Sequence, residues 1–143
     1  MQKICLFVIM LIATSFNSLS YAQNGLITVE IIGVKNEDGQ IFIGLFNNKD
    51  GFPDKNREYK GAFVKAKRET LHHTFTEIPN GDYAIAIFHD SNTNGILDKN
   101  FLGIPKEGYG FSENATAFMS VPAFKKAKFT LNRTYTSEIN MKY

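Results

Sequence analysis

Residues 79–89 read Pro-Asn-Gly-Asp-Tyr-Ala-Ile-Ala-Ile-Phe-His and combine a strong turn signal with an apolar strand. The first four residues favour a tight turn, because proline fixes φ while asparagine and glycine tolerate positive φ. The segment Tyr83 to His89 is apolar at nearly every position, which is typical of a strand surrounded by the core. We therefore predict that this strand is the central one of a sheet.

Alternation of apolar and polar residues extends from this segment in both directions and predicts further strands. Upstream, the turn Glu37-Asp38-Gly39 separates two alternating runs and predicts a hairpin. Downstream, the turn Asn132-Arg133 separates the last two runs. The predicted strands are Ile27–Ile31, Gln40–Phe46, Ala62–Lys67, Thr70–Phe75, Tyr83–His89, Ala127–Leu131 and Tyr135–Met141, of which the third and fourth form a second pair.

Because no helical pattern lies between these runs, we predict an all-β fold, an antiparallel β-sandwich of about seven strands. Two long segments interrupt the strands. Residues 47–60 are rich in Asn, Asp, Gly, Pro and Lys and predict an exposed loop, and residues 90–110 contain many Asn and Gly. Long loops in compact domains are usually functional or disordered, so these segments are the first place to seek a site.

The first 22 residues have the three-part organisation of a cleavable signal peptide. Lys3 supplies a positive charge, residues 4–13 are almost uniformly apolar, and Ser20-Tyr21-Ala22 provides the small residues of a cleavage site. A buried N-terminal helix is the alternative, but the segment has no polar face. We therefore predict a signal peptide at residues 1–22, a single domain at residues 23–143, and export to the periplasm, the cell surface or the medium.

The composition of the chain argues against several classes of partner and site. The 143-residue chain has a formal net charge of +2, and Lys3 is the only charged residue of the predicted leader, so the remaining domain is nearly neutral. Lys125, Lys126 and Lys128 are predicted on the solvated face of a strand, so nucleic acid is not an expected partner. The only cysteine is Cys5 in the leader, which excludes disulfides and thiolate metal sites from the domain. No transmembrane segment is expected after the leader.

The segment from Asp90 to Asn100, Asp-Ser-Asn-Thr-Asn-Gly-Ile-Leu-Asp-Lys-Asn, carries the clearest chemical signal. Side-chain oxygens occur at positions one, three, five, nine and eleven, with glycine at six, which is similar to the first half of an EF-hand loop. Calcium prefers oxygen ligands, and glycine permits the positive φ that folds a chain around an ion. The predicted ligands of a weak, structural Ca²⁺ are the side chains of Asp90, Asn92, Asn94, Asp98 and Asn100 and the backbone carbonyl of Ile96.

The match to a calcium loop is incomplete. Position twelve, a bidentate glutamate in EF-hands, is Phe101, and the segment before the loop is a strand. Glu107 or Glu113 would have to complete the coordination from a distance. With two carboxylates the expected dissociation constant is of the order of 10⁻⁴–10⁻³ M. The alternative is an Asn-Gly turn whose side chains bond their own backbone.

The histidines suggest a small hydrolase as another hypothesis. His72 and His73 are adjacent on a strand and face opposite sides, so they do not readily share a metal. His89 and Asp90 at the mouth of the loop would be the catalytic pair, provided that a pocket leaves His89 pointing outward.

Aromatic residues in or beside the loops suggest recognition of a glycan or a protein as a further hypothesis. It requires that Tyr109 and Phe111 stand exposed side by side. The alternative is that the aromatic side chains fold back over the sandwich. The residues concerned are Phe46, Phe52, Phe101, Tyr109, Phe111 and Phe118.

Three segments together resemble the bacterial family called domain of unknown function 2141. They are Ile78–Ala86, Phe88–Asp98 and Gly103–Ser112, and the likeness extends over essentially the whole domain. The resemblance implies an exported or envelope-associated bacterial protein and names no activity. The segment Phe75–Phe88 is also similar to transthyretin-type and carboxypeptidase-regulatory-type β-sandwiches, which implies a fold and not a function.

The sequence therefore predicts an exported, non-catalytic binding or structural module with a calcium-type loop. Its expected partner is an envelope protein or a glycan. The hydrolase and the aromatic recognition domain stay open as alternatives.

Overall fold

The computed structural model describes residues 24–118 and 120–143, so the predicted signal peptide at residues 1–22 lies outside the described residues. Strands dominate these residues, and none of their helices is long and apolar enough to span a membrane. In chain order the elements are β1 (Asn24–Ile32), β2 (Gln40–Phe46), β3 (Lys60–Lys65), β4 (Leu71–Pro79), β5 (Gly81–Asp90), β6 (Tyr109–Phe111), a 3-10 helix (Ser112–Asn114), α1 (Phe124–Ala127), β7 (Phe129–Leu131) and β8 (Thr134–Asn140).

The strands form two sheets with a shared core between them. One sheet has the order β4-β1-β8, and the other has the order β3-β2-β5-β6, with β7 also paired to β5. All pairs are antiparallel except β1–β8, which is parallel. The predicted all-β sandwich is confirmed, with one parallel pair that the sequence did not indicate.

Two predicted strand pairs are wrong. β1 and β2 flank the turn at residues 37–39, yet β1 pairs with β4 and β8 whereas β2 pairs with β3 and β5. β3 and β4 also lie in different sheets. Both connections cross from one sheet to the other, and the chemistry of a turn specifies a chain reversal without specifying the strand that receives the hydrogen bonds. Lys125 and Lys126 are exposed as predicted, but they lie on α1 and not on a strand.

β5 is the central strand, as predicted, and it is buried on both faces. One edge of β5 pairs with β2, and the paired residues run from Phe46 with Ala84 to Gln40 with Asp90. The other edge of β5 is shared by β7 and β6. Tyr83, Ile85 and Ile87 point into the core between the sheets, together with side chains of β1. The intervening alanines of β5 belong to a second cluster on the outer face. The apolar character of both faces explains why this segment lacks alternation.

The outer face of the larger sheet is covered in part by the loop at residues 47–60, which the sequence predicted as exposed. Phe52 lies in the loop between β2 and β3, and its ring centroid is 5.3 Å from that of Phe46 and 5.8 Å from those of Phe111 and Phe124. Edge-on aromatic contacts of this kind add to the stabilisation from buried area. The loop at residues 47–60 is therefore not wholly exposed, because Phe52 anchors it to the sheet.

Ser112 connects this covering layer to the central strand. Its buried hydroxyl accepts a hydrogen bond from the Ile85 N–H (2.8 Å) and donates to the Ala127 carbonyl. The hydroxyl thus supplies a partner to a backbone N–H of β5 and to a backbone carbonyl of α1. Buried backbone groups need such partners, since leaving one unpaired is costly.

We expect the Ser112→Ala substitution to lower the free energy of unfolding by about 1–3 kcal/mol, because it leaves two buried backbone groups without a partner. Chemical denaturation monitored by circular dichroism measures the change. Ser120→Ala, at an exposed position, is the control and should stay within about 0.5 kcal/mol of the wild type. Equal stabilities of the two variants would contradict the proposed role of the Ser112 hydroxyl.

The pKa of the Tyr135 hydroxyl is strongly raised. Its ring stacks on Phe129 with centroids 4.0 Å apart, and its hydroxyl donates a hydrogen bond to the Glu113 carboxylate. Burial raises the pKa of Tyr135 to about 12, with further contributions from the hydrogen bond and the negative charge of Glu113. The folded protein therefore keeps this proton at pH values at which the unfolded chain, with a pKa near 10.0, has lost it.

This contribution to stability should be fully present below about pH 10 and should be lost between about pH 10 and pH 12. Burial also raises the pKa values of Tyr83 and Tyr143, so the whole protein should lose stability in this range. Tyr135→Phe removes one of these groups and should flatten the decline, as measured by denaturation at a series of pH values. An unchanged pH dependence in the variant would contradict the prediction.

Candidate functional site

The loop predicted to bind a cation begins where β5 ends. The last residue of β5, Asp90, is fully buried and pairs in register with Gln40, the first residue of β2. One Asp90 oxygen accepts the Asn94 N–H (2.9 Å), and the other accepts the Gly95 N–H and the Gln40 side-chain amide (both 3.0 Å). Three donors thus surround a buried carboxylate that has no basic partner among the described residues. Hydrogen bonds of this kind offset the loss of solvation of a buried charge.

Two asparagines continue the loop as consecutive Asx turns. Asn92 Oδ1 accepts the Asn94 N–H (3.1 Å), and Asn94 Oδ1 accepts the Ile96 N–H (3.0 Å). Thr93 and Gly95 adopt positive φ, of 57° and 79°. Asparagine suits positions 92 and 94 because its short side chain reaches the backbone two residues further on. Glycine suits position 95, where φ is positive, because it lacks a Cβ.

The side chains of these two asparagines converge on Asp98. Asn92 Nδ2 donates to the Asp98 carboxylate at 2.7 Å, and Asn94 Nδ2 lies 3.1 and 3.2 Å from the two Asp98 oxygens. Asp90 joins the same cluster, since it shares the Asn94 N–H with Asn92. The structure therefore brings together Asp90, Asn92, Asn94 and Asp98, four of the predicted ligands.

Asn100 is placed differently from these four residues. The Asn100 side-chain oxygen accepts the N–H groups of Leu102 (2.9 Å) and Ile104 (3.0 Å), so it caps the next turn of the chain and does not face the cluster at Asp98. The N–H of Ile96 is held by Asn94, and its side chain is exposed.

Glu107 closes the loop from its far end. The side chain is buried, and one oxygen accepts the N–H and the hydroxyl of Ser91 (2.9 and 2.8 Å), while the other accepts the Asp98 N–H (2.9 Å). The sequence offered Glu107 and Glu113 as two candidates to complete the loop from a distance. The structure separates them, because Glu113 contacts Tyr135 instead. Only the fold distinguishes two glutamates that are six positions apart.

Two further residues contact the loop, and the sequence did not indicate either of them. Gln40 is brought to Asp90 by strand register, which can be inferred only after the pairing of β2 and β5 is known. Lys55 lies beside Gly95, such that a Cβ added to that glycine would be 3.5 Å from the ammonium group. The same ammonium group lies 5.7 and 5.6 Å from the ring centroids of Phe42 and Phe63. A basic group from the loop between β2 and β3 therefore borders the cluster.

His89, the last buried residue before Asp90, is enclosed. It is 1% exposed; Nδ1 is 2.8 Å from the Tyr143 hydroxyl and Nε2 is 2.7 Å from the Asp38 carbonyl. The Tyr143 hydroxyl oxygen also accepts the Lys35 N–H (2.9 Å). Both ring nitrogens of His89 therefore have hydrogen-bond partners inside the protein.

The two adjacent histidines have different environments, as expected because successive side chains of a strand point to opposite faces. His72 is exposed, and its Nδ1 lies 3.7 Å from the Glu30 carboxylate. The His73 ring packs against Phe75 at 4.6 Å, and partial burial lowers the pKa of His73. Among the described residues, no group of three or more His, Cys, Asp and Glu side chains is close enough to hold a metal ion.

Most of the loop aromatics fold back onto the sheet. Phe46 and Phe111 are buried, and Tyr109 is half-buried with its ring 6.0 Å from that of Phe111. The exposed Tyr109–Phe111 pair required by the recognition hypothesis is therefore not formed. Phe101 and Phe118 do not fold back, since they are 95% and 92% exposed.

Two depressions adjoin the loop. A polar hollow of about 160 Å³ lies beside His89, Glu107 and Tyr143. An apolar groove of about 330 Å³ lies on the other side, between the loop and the covering layer, and Ile96, Phe111 and Val121 contribute to its walls.

We expect Glu107→Gln to destabilise the protein by about 1–3 kcal/mol, because an amide cannot accept from both the Ser91 and the Asp98 N–H groups. Hydrogen exchange should show faster exchange at one or both of these amides. Glu69→Gln is the matched control, since Glu69 makes only an exposed ion pair with Lys67 and should contribute at most about 1 kcal/mol. Unchanged exchange at Ser91 and Asp98 in Glu107→Gln would contradict this account of the loop.

Comparison with known proteins supplies a family and no activity. The profile of DUF2141, described as an uncharacterized protein conserved in bacteria, matches residues 29–139. No curated protein and no solved structure matches the chain significantly. The matched residues include most of the two sheets and the entire Asp90–Glu107 loop. The chain belongs to the DUF2141 family.

Proposed function

We propose that the protein is an exported, non-catalytic binding or structural module whose loop from Asp90 to Asn100 binds a weak, structural calcium-type cation. The observation that carries the proposal is the convergence of Asn92 and Asn94 on the Asp98 carboxylate, together with the Asn94 N–H that Asn92 shares with the buried Asp90.

The chemistry of this cluster suits a hard cation. Its side chains offer carboxylate and amide oxygens and no nitrogen or sulfur ligand, which is the ligand type that calcium prefers. Each asparagine oxygen accepts one backbone N–H and has a second lone pair. Because no three acidic or histidine side chains converge among the described residues, such a site would depend on amide and carbonyl oxygens as well as on Asp90 and Asp98. Asn100, which caps a different turn, would contribute least.

The charge balance of the loop also favours weak binding. Asp98 is compensated by amide dipoles and makes no ion pair within the described residues, so it is available to a cation. Lys55 beside Gly95 opposes the approach of a second positive charge. A bound cation would supply positive charge between Asp90 and Asp98 and would thereby order the loop. Asp90 is already buried and bonded, so Asp98 is the residue whose loss should affect binding with the least harm to the fold.

Export is part of this proposal. The sequence pattern of residues 1–22 predicts that the domain reaches compartments in which a site with a millimolar dissociation constant can be filled. The domain without Cys5 has no disulfide to restrain its long loop. In that location the partner would be an envelope protein or a glycan.

The hydrolase hypothesis is not supported by the placement of His89. A general base must reach a substrate, whereas both His89 ring nitrogens are engaged inside the protein. The role of an Asp90 catalytic partner fails for the same reason, because the carboxylate is fully buried and holds three donors.

We expect millimolar calcium to raise the melting temperature of the wild type by a few degrees. Calcium at ten times its dissociation constant would stabilise the folded state by about 1.4 kcal/mol. Isothermal titration should give a dissociation constant of about 10⁻⁴–10⁻³ M. Asp98→Asn should abolish both effects, and Asp90→Ala combined with Asp98→Ala should do the same if the double variant folds.

Two further variants sharpen the calcium experiment. Asp50→Asn changes a carboxylate in another Asn- and Gly-rich loop and should leave the calcium response intact. Lys55→Gln removes the ammonium group beside Gly95 and should tighten binding several-fold. If calcium leaves the wild-type melting curve unchanged and titration gives no heat, the loop is a self-bonded turn and the cation proposal is wrong.

A further inference from the structure

Three exposed apolar residues follow Asn100 at the tip of the loop. Phe101 is 95% exposed, Leu102 is 68% exposed and Ile104 is 51% exposed. Single exposed apolar residues are common on protein surfaces, but three among four consecutive positions form a continuous patch. We define the residues from Phe101 to Ile104 as the apolar tip.

The apolar tip is held by backbone hydrogen bonds at its base. The Asn100 N–H donates to the Ile104 carbonyl (2.8 Å), and the Gly103 N–H donates to the Asn100 carbonyl (2.9 Å). The Asn100 side chain accepts two further N–H groups of the tip, from Leu102 and Ile104. Gly103 has φ of 80°, with open space around the position of a Cβ. The turn is therefore well defined while its apolar side chains contact little of the protein.

Basic residues border the apolar tip on both sides. Lys99 and Lys106 are exposed, and neither makes an ion pair within the described residues. Of the acidic residues next to them, Glu107 is buried under three donors, and the Asp98 carboxylate accepts hydrogen bonds from two asparagines and makes no ion pair with either lysine. The surface at the base of the tip thus presents positive charge beside apolar side chains.

We propose that the apolar tip inserts into the interface of an anionic lipid bilayer, with Lys99 and Lys106 contacting the headgroups. Lysine stems can lie along apolar surface while their ammonium groups reach the headgroups. A stable protein partner would have to cover about 800 Å² on this side, which a four-residue protrusion does not offer. A bilayer, in contrast, accepts a narrow convex apolar segment to a depth of about 5–10 Å. Insertion does not depend on cation binding by Asp90 and Asp98.

Tryptophan substitution gives a direct test, because the chain contains no tryptophan. Phe101→Trp places a fluorophore on the tip, and Phe118→Trp places one at an equally exposed position in another segment. Each variant is mixed, in EDTA, with vesicles of phosphatidylcholine alone and with vesicles that also contain phosphatidylglycerol. We expect a blue shift and quenching by brominated acyl chains for Phe101→Trp with anionic vesicles, and neither effect for Phe118→Trp.

Co-sedimentation with the same vesicles separates the apolar and electrostatic contributions. The double variant Phe101→Ser and Leu102→Ser should bind anionic vesicles at least ten-fold more weakly than the wild type. Lys99→Gln and Lys106→Gln should each weaken binding about five-fold, whereas Lys65→Gln, at another exposed lysine, should not. Use of EDTA keeps this result independent of the calcium titration.

Three outcomes would overturn the proposal. The first is a wild type that does not sediment with anionic vesicles. The second is binding that is unaffected by the double serine substitution, which would indicate attraction by surface charge alone. The third is concentration-dependent self-association that the double substitution abolishes, with no vesicle binding, which would assign the apolar tip to contacts with a second copy of the chain.

Discussion

The burial of β5 on both faces is the constraint on which the other elements depend. Its inward side chains require the sheet β4-β1-β8 as a cover, and its outward alanines require a second cover, which Phe52 and Phe124 provide. Ser112 bonds this second layer to the backbone of β5. The small side chains of Ala84 and Ala86 allow the aromatic rings to approach the sheet closely, so that a loop and a four-residue helix suffice as cover. The protein therefore has three layers locally, although only two of them are sheets.

The same constraint explains the chemistry of the loop. Because β5 is buried up to its last residue, Asp90 enters the loop as a buried charge and must obtain its hydrogen bonds from nearby residues. The loop backbone supplies two of them, and Gln40 supplies the third. Glu107 does the same for the returning chain, since its carboxylate holds the N–H groups of both Ser91 and Asp98. Two buried carboxylates thus take the structural role that a disulfide often has in small exported domains.

The sequence predicted the features that depend on local spacing and missed those that depend on strand partners. Alternation located seven of the eight strands because it reports which side chains face a core, but it did not indicate the three-residue β6. The self-bonded turn that the sequence offered as the alternative to a calcium loop is present at Asn92 and Asn94, whose side chains reach the backbone two residues further on. The β1–β2 hairpin was wrong, because β1 has its partners in β4 and in the distant β8. Glu107 was one of two equal candidates, and Lys55 was not indicated at all, since neither position is close to Asp90 in sequence. Phe101 was one of six aromatics, and only the fold shows which of them lack cover.

The base and the tip of the loop have opposite chemistry. The carboxylates of the base, Asp90, Asp98 and Glu107, are held by hydrogen bonds from the loop itself, whereas the outward side chains of the tip are apolar and need no hydrogen bond. The Lys106 N–H bond to the Asp98 carbonyl (2.8 Å) joins the two parts. A cation on the Asp98 carboxylate would stiffen the base of the tip and reduce negative charge near Lys99. A bound cation would therefore favour contact of the tip with an anionic surface, although the two proposals rest on different side chains.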